Sequence, residues 1–472
     1  MKWLILGPEI YFLAVAAVFL TLSMMRPNGR RDFSVALFLA GIGVAVTLAA
    51  VRLEGSLVYG AYRVDLFSQV FKGLLSMGFF LVVCLCSNLN GIQEARHPEF
   101  YLLLATCTLG MMLLVSSLEL LTMYVALELT SYSLYGLVPL RSGGGQQMEA
   151  GIKYFLAGIA TSALMLFGMA SLFGATQTTY IGELSLKLPG LLNTPMAFIG
   201  LLLTLCGFFF KLALFPFHVW APSVYQGAAN QVTAFVATAT KVTAMAMIAR
   251  LVSMSHGNTS LAHMLIALAI ISMTYGNLVA LVQKDFKRLL AYSAIAHAGY
   301  SLIGILSMNP TGYAAAAFYA LAYLATTFIC FLVVVKVASD GRDVAIVQLA
   351  GLHRRSPLLA MALMGGVFSL GGIPPTIGFT GKFLVFTAAM QRGYFLLVLI
   401  AMINVVVSLY YYIQVVRAAF LLEPDEELPR INLSAPATIL TAVMVVVIIV
   451  GGIFPRYLFQ LAQAAVQALL QK

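Results

Sequence analysis

Long apolar runs separated by short polar breaks cover the whole chain. A helix needs about 20 apolar residues to cross a bilayer. About 14 stretches of that kind begin near Trp3, Phe33, Phe67, Tyr101, Leu120, Tyr154, Met196, Ala228, Leu261, Leu289, Gly312, Leu358, Tyr394 and Ala437. The polar breaks include residues 26–32, 88–99, 141–149, 284–288, 339–355 and 423–430. Nothing between them reads as a soluble domain, so the expected fold is an all-α integral membrane bundle with short connections. The first run holds Pro8 and Glu9, lacks a small-x-small cleavage site and precedes Arg26, Arg30 and Arg31. It reads as an uncleaved span with its N-terminus outside.

Composition sharpens this. Of 472 residues, 61% are hydrophobic types and 9% are charged, against about 45–50% and about 25% in soluble domains. A soluble enzyme and a disordered chain are both excluded. The net charge of +10 suggests nucleic acid until the basic residues are placed. Loops after odd-numbered spans hold 15 of them, and loops after even-numbered spans hold five: Arg52, Arg63, Lys187, Arg250 and Arg392. That asymmetry puts the odd loops in the cytoplasm and both termini outside, and it removes the case for nucleic acid. The five cysteines (Cys84, Cys86, Cys107, Cys206, Cys330) lie in apolar runs without metal-type spacing and read as core residues. With no phosphate loop, dinucleotide turn or CxxC motif, the chain is not expected to carry electrons, a cofactor or a metal.

Four basic residues remain inside apolar runs: Lys72, Lys211, Lys241 and Lys382. A charge at the bilayer centre costs about 2.5–3.5 kcal/mol on insertion scales. A proton or ion path accounts for such lysines, because a buried lysine exchanges its proton as its neighbours change. Snorkelling or structural ion pairing is the competing reading, and for Lys72, near a span end, it stands level with the first. Glu128 is the acidic counterpart and needs a cation from another span. His218 and His297 lie in spans and could relay protons. His263 is placed near a span end, His97 and His353 in loops, and His256 at the surface.

Two spans contain helix breakers, Pro216 in one and Pro374 with Pro375 in the other, each close to a lysine. Freed backbone groups in a bilayer must find protein or water, and broken helices mark ion paths in transporters. Each broken span is the fourth in a group of five, spans four to eight and nine to thirteen. A five-span group followed by its copy is inverted in the membrane. The resulting division is 1–100, 101–255, 256–422 and 423–472, the last holding the final span. Thr238, Thr240, Thr243, Ser293, Tyr300, Tyr319, Tyr323, Asn404, Ser408 and Tyr410–Tyr412 either hold water between the lysines or glue helices together.

Three segments carry a family resemblance. Gly207–Pro222, which includes Lys211, Pro216 and His218, resembles the central motif of the antiporter-like subunits of respiratory complex I. Gly276–Tyr300 is similar to a second motif in its N-type version, and Gly372–Lys382 to a third. Glu128–Gly136 and Glu149–Phe155 fit as well, and the likeness runs over roughly residues 5 to 420. Cation/proton antiporters and membrane hydrogenases share the family. The resemblance implies 14 helices with two inverted five-helix repeats. It also implies a Glu128–Lys211 ion pair that acts as the switch, Lys241 as the next proton site, Lys382 in the second half-channel and His297 as the bridge. The implied activity is proton translocation in a bacterial NADH:quinone oxidoreductase of the cytoplasmic (inner) membrane. FMN, iron–sulfur clusters and quinone would sit in partner subunits, with other antiporter-like subunits and lipid as neighbours. The alternatives are a cation/proton antiporter subunit, a ferredoxin- or hydrogenase-linked relative, and a structural linker between proton channels. One departure stands out: where the family pattern has acids, this chain has Ser223 and Gln226.

Overall fold

The computed structural model describes residues 2–143, 145–255, 257–423 and 429–470; His256 lies outside them. The apolar runs become α1 (Gly7–Ser23), α2 (Gly29–Ala50), α3 (Leu66–Cys84), α4 (His97–Ser116), α5 (Leu120–Leu137) and α6 (Gln146–Thr176). A short α7 (Ile181–Leu191) precedes α8 (Pro195–Leu212), α9 (Trp220–Gly227) and α10 (Asn230–Ser253). Then follow α11 (Thr259–Ala280), α12 (Phe286–Leu306), α13 (Pro310–Val337) and a single turn, α14 (Leu352–Arg355). The chain ends with α15 (Pro357–Gly371), α16 (Ile377–Gln391), α17 (Phe395–Leu421), α18 (Ala435–Ile453) and α19 (Arg456–Leu470).

Twelve of these helices are long and apolar enough to cross a membrane. Two more crossings complete fourteen: α5, whose hydropathy is lowered by Glu128 and its hydroxyl side chains, and the α15–α16 pair, which crosses in two halves. The α8–α9 pair is the other broken crossing. The start points expected from hydropathy are met within about four residues, except that α6 begins at Gln146, eight residues before Tyr154.

Many helices begin where a polar side chain accepts from a free N–H. Asn28 takes Arg31 N at 3.0 Å, Asp65 takes Ser68 N at 2.7 Å, and Asp285 takes Arg288 N at 2.8 Å. Helices α10 and α12 are buried along their whole apolar windows and α13 almost so, whereas α2 and α18 bury little more than a quarter of theirs. The centre of the bundle is thus a helix trio wrapped by the rest.

An even number of crossings puts both ends of the chain on one face, here the terminal face. The loops richer in Lys and Arg lie on the opposite, basic face. Each face is stitched by short β-bridges: Tyr62 with Ser117 and Glu119 with Tyr180 on the terminal face, Ile92 with Arg141 and Asp285 with Ala345 on the basic face.

Three elements went beyond the hydropathy reading, and all lie on the terminal face. One is an antiparallel hairpin, β1 (Gly55–Leu57) with β2 (Tyr62–Val64). The second is α7. The third is α19, which packs on α13 and α3, so the last segment is more than one span. Each is too short or too amphipathic to register as an apolar run. His97 and His353 open α4 and sit within α14 rather than lying in loops, and His263 is exposed near the start of α11.

Candidate functional site

The two broken spans share one local design. Helix α8 ends with Ala213 in the left-handed region (φ 59°), and α15 ends with Gly372 at φ 81°. In both, the next amide turns back: Leu214 N donates to Phe209 O at 2.9 Å, and Ile373 N to Phe368 O at 2.9 Å. This is a Schellman ending. A proline follows within a few residues and forbids helical continuation, Pro216 in one case and Pro374–Pro375 in the other. With the two caps aligned, Lys211 has the sequence position of Leu370, and Lys382 that of Ser223.

A helix that stops inside a bilayer leaves carbonyls without partners, and its C-terminal end is the negative pole of its dipole. Lysines fill this need. Lys241 Nζ, reaching from α10, donates to Leu212 O at 2.6 Å. Lys382 Nζ, reaching from the second half of its own broken span, donates to Leu370 O at 2.7 Å and Gly371 O at 3.2 Å. Both side chains are buried. Each ammonium also lies over an aromatic ring, Lys241 5.0 Å from Trp220 and Lys382 4.7 Å from Tyr300. Such a site holds a cation by carbonyls and ring faces rather than by a carboxylate.

Lys211 sits in the last turn of α8 and donates to Tyr154 Oη at 3.3 Å. Beside it is a cavity of about 10 Å³ lined by Thr130, Thr240 and Thr243 among others, about the size of one water. Tyr154 stacks on Phe210 and lies 4.8 Å from Trp220. The indole Nε1 of Trp220 donates to Phe210 O at 2.8 Å. Trp220, at the start of α9, therefore contacts the surroundings of both lysines of the first half.

The Glu128–Lys211 ion pair implied by the resemblance is not formed: no Glu128 oxygen lies within 4 Å of Lys211 Nζ. Glu128 accepts instead from Ser162 Oγ of α6 at 2.5 Å. It is half-buried, on a helix face that exposes Val125 and Tyr132. The reason is helical phase: Glu128 shares the outer face of α5 with those residues, while Leu127 and Thr130 point toward Lys211.

His297, buried on α12, bonds Tyr319 Oη at 2.6 Å through Nδ1 and Tyr412 Oη at 3.3 Å through Nε2. Tyr412 also bonds Ser293 Oγ at 2.5 Å. Beside this run, Asn277 Nδ2 donates to Tyr300 Oη at 3.2 Å and Asn404 Oδ1 at 3.1 Å, and Tyr411 Oη donates to Asn277 Oδ1 at 2.9 Å. The polar residues of the second half therefore form a hydroxyl-rich network reaching Lys382 through Tyr300. Thr238, Thr240 and Thr243 instead bond carbonyls one turn back in their own helix. His218 sits between α8 and α9, its ring stacked on Phe215 and edge-on to Tyr275, and its Nδ1 has no partner.

Lys72 belongs elsewhere. Its Nζ lies 2.6 Å from Glu9 Oε1, both side chains buried, and Tyr62 Oη donates to the same oxygen at 2.6 Å. This is a structural ion pair tying α1 to α3 near the terminal face, so the pairing reading holds for Lys72. Glu9 was visible in the first apolar run and was the available signal. Two more ion pairs have buried cations that the sequence places at span ends: Arg250 with Asp65 at 3.6 Å, and Lys287 with the partly exposed Asp343 at 2.8 Å. Among the described residues no three His, Cys, Asp or Glu side chains gather as a metal-binding group.

Comparison with known proteins matches residues 117–408 to the family described as NADH:quinone oxidoreductase/Mrp antiporter, TM. The chain is 55% identical over its full length, and that of the relative, to NADH-quinone oxidoreductase subunit N 2 of Syntrophobacter fumaroxidans. It is 44% identical to the subunit N 2 of Opitutus terrae, over 95% of each chain. Among solved structures, a chain of respiratory complex I from Thermus thermophilus superposes with a TM-score of 0.84 at 34% identity, covering 97% of this chain and 99% of that one. A chain of the Mrp complex from Dietzia superposes at 0.87 with 21% identity over 99% and 97%, which shows a shared fold. This chain belongs to the NADH:quinone oxidoreductase/Mrp antiporter family of membrane subunits, among its N-type, antiporter-like members.

Proposed function

We propose that the chain translocates protons as a membrane subunit of a bacterial NADH:quinone oxidoreductase and holds no redox centre itself. The observation that carries this is the matched placement of Lys241 and Lys382 on the free carbonyl ends of two broken spans. A lysine so placed is under two opposed influences. Burial disfavours the ammonium, while the carbonyls and the negative helix end favour it by up to about 2 kcal/mol. A small change in a neighbouring charge then decides whether the proton stays or leaves. Lys211, with its water-sized cavity, takes the proton before Lys241. The tyrosine–histidine network around His297 connects onward to Lys382, and His218 borders the gap in the first broken span. The four segments 1–100, 101–255, 256–422 and 423–472 are then an N-terminal three-helix segment, two inverted antiporter-like repeats and the final span with its surface helix.

The driving energy comes from partner subunits that bear FMN, iron–sulfur clusters and the quinone site. Glu128 supports such partners. A half-exposed carboxylate at mid-membrane depth cannot face lipid without a cost of several kcal/mol, so a neighbouring subunit with polar or cationic groups covers that face of α5. The loop charges place the basic face in the cytoplasm and both termini in the periplasm of the inner membrane.

The test is reconstitution of the complex into vesicles with Lys211→Ala and measurement of protons moved per electron pair. The complex assembles and oxidises NADH, and the ratio falls. A wild-type ratio refutes the assignment. Activity that depends on a sodium gradient and persists without electron transfer would point to the antiporter reading.

A further inference from the structure

Helix α9 runs from the Lys211–Lys241 region to the end of its broken span on the basic face, and its far end is held by a charge cluster that the function above does not use. Arg141 Nη1 donates to Gln226 O at 2.7 Å, and Lys287 Nζ donates to Gln226 O at 3.0 Å and Ala228 O at 3.2 Å. Arg288 Nη1 reaches the Gln226 side-chain oxygen at 3.2 Å. Among the described residues Asp343 is the carboxylate in direct contact with these cations, with Asp285 at the head of α12 farther off. Asp343 Oδ1 lies 2.9 Å from Arg141 Nη1 and 2.8 Å from Lys287 Nζ. Without it, two cations, one of them fully buried, would converge on the same carbonyl and repel each other. Asp343 is itself fixed, because its loop is bonded to the start of α12 through Phe286 N to Val344 O at 2.9 Å and Ile346 N to Lys284 O at 2.9 Å.

The other end of α9 is Trp220, whose ring lies over Lys241 and beside Tyr154, the partner of Lys211. Eight helical residues span about 12 Å. A shift at Gln226 is therefore carried along a short rigid rod to the lysines. The parts of the cluster come from both halves of the protein: Arg141 and Gln226 from the first, Lys287 and Asp343 from the second.

We infer that Asp343 is a positioning residue, a clamp that holds α9 in place from the basic face and through it sets Trp220 against Lys241. Because Asp343 lies just ahead of α14 and α15, the clamp also links the broken span of the second half to that of the first. The inference rests on the proton-path reading, so its test uses one readout that is independent of proton movement.

The experiment introduces Ser223→Cys on α9 in the assembled complex and follows labelling by a membrane-impermeant maleimide from the basic face. The label on the same complex without that cysteine is subtracted, since Cys84 is partly exposed. With Asp343 present, labelling is slow. Asp343→Asn speeds it about tenfold or more, as expected when charge-assisted bonds release a short helix, and Asp343→Glu keeps it slow. Equal rates with and without the Asp343→Asn substitution overturn the clamp. If Asp343→Asn does not accumulate, Arg141→Gln is judged by the same criterion: it loses half of the grip and must label faster than wild type.

The proton-to-electron ratio of Asp343→Asn is measured alongside. Faster labelling with an unchanged ratio, in a system where Lys211→Ala loses protons, overturns the positioning role. If Lys211→Ala also keeps its protons, the proton-path reading is what has failed, and the labelling rate alone judges the clamp.

Discussion

The Glu9–Lys72 pair gives a direct test of which buried lysines are structural. The perturbation is a cycle of three variants: Lys72→Met, Glu9→Gln and the two combined. The pair is close at 2.6 Å and its side chains are 0% and 5% exposed, so bulk solvent does not screen it. Removing Lys72 leaves the Glu9 carboxylate buried with only the Tyr62 hydroxyl donating to it. Breaking such a pair from one side costs about 3–5 kcal/mol. The combined variant removes both charges and keeps similar volumes, so it is expected within about 1 kcal/mol of wild type, or more stable. The coupling is then about 3 kcal/mol or more, well outside additivity. The assay is thermal loss of monodispersity of the chain in mild detergent, with midpoints compared across the cycle. Lys72→Met as stable as wild type, or a combined variant no better than Lys72→Met, would refute the reasoning. The combined variant must also keep a wild-type proton-to-electron ratio in the complex; a loss there would return Lys72 to the proton path.

Further outcomes follow from the same geometry. His297→Phe strands the Tyr319 hydroxyl at a cost of about 1–3 kcal/mol, leaves Tyr412 on Ser293, and lowers the protons moved per electron pair; a wild-type ratio removes His297 from the path. Glu128→Gln keeps the Ser162 contact but drops a charge facing a neighbour, so it weakens retention of this chain in the purified complex and lowers the proton ratio, and unchanged values for both would show that the charge is idle. Gly378→Ala drives a methyl into Ser369 O, far inside contact distance, which α15 and α16 can accommodate only by separating, so the variant accumulates poorly; normal yield would mean that this contact is looser than described.

Much of the fold was legible because crossing a bilayer imposes one length and one polarity on each element. The span starts follow from that constraint alone, as do the two breaks, because Pro216 and Pro374–Pro375 sit where no other residue could stop a helix so firmly. The terminal-face hairpin, α7 and α19 were not legible, since short or amphipathic pieces at an interface obey no such constraint. In the site, residue type announced Lys241 and Lys382 but not their partners. Backbone carbonyls have no sequence signature, so nothing in the chain singles out Leu212, Leu370 and Gly371 as the groups that hold these two lysines. Asp343 is obscure for a different reason: beside Asp340, Gly341 and Arg342 it looks like part of an ordinary surface turn. The Gln226 departure now has a structural setting: its oxygens, backbone and side chain, are what Arg141, Lys287 and Arg288 hold.

Helix α10 has a consequence for how the chain is made. It is enclosed on every side in the finished fold, and it carries Asn230, Gln231, Thr233, Lys241 and Arg250, all buried. Its enclosing neighbours include α3, α4 and α8, synthesised before it, and α12 and α13, synthesised after. When α10 leaves the ribosome only half of its wrapping exists. The earlier segments already carry the partners of its two cations, Leu212 O for Lys241 and Asp65 with Val115 O for Arg250, and the remainder of its surface stays open until α12 and α13 arrive. In chain order α10 therefore docks onto an incomplete bundle, and its enclosure is complete only when α12 and α13 have followed.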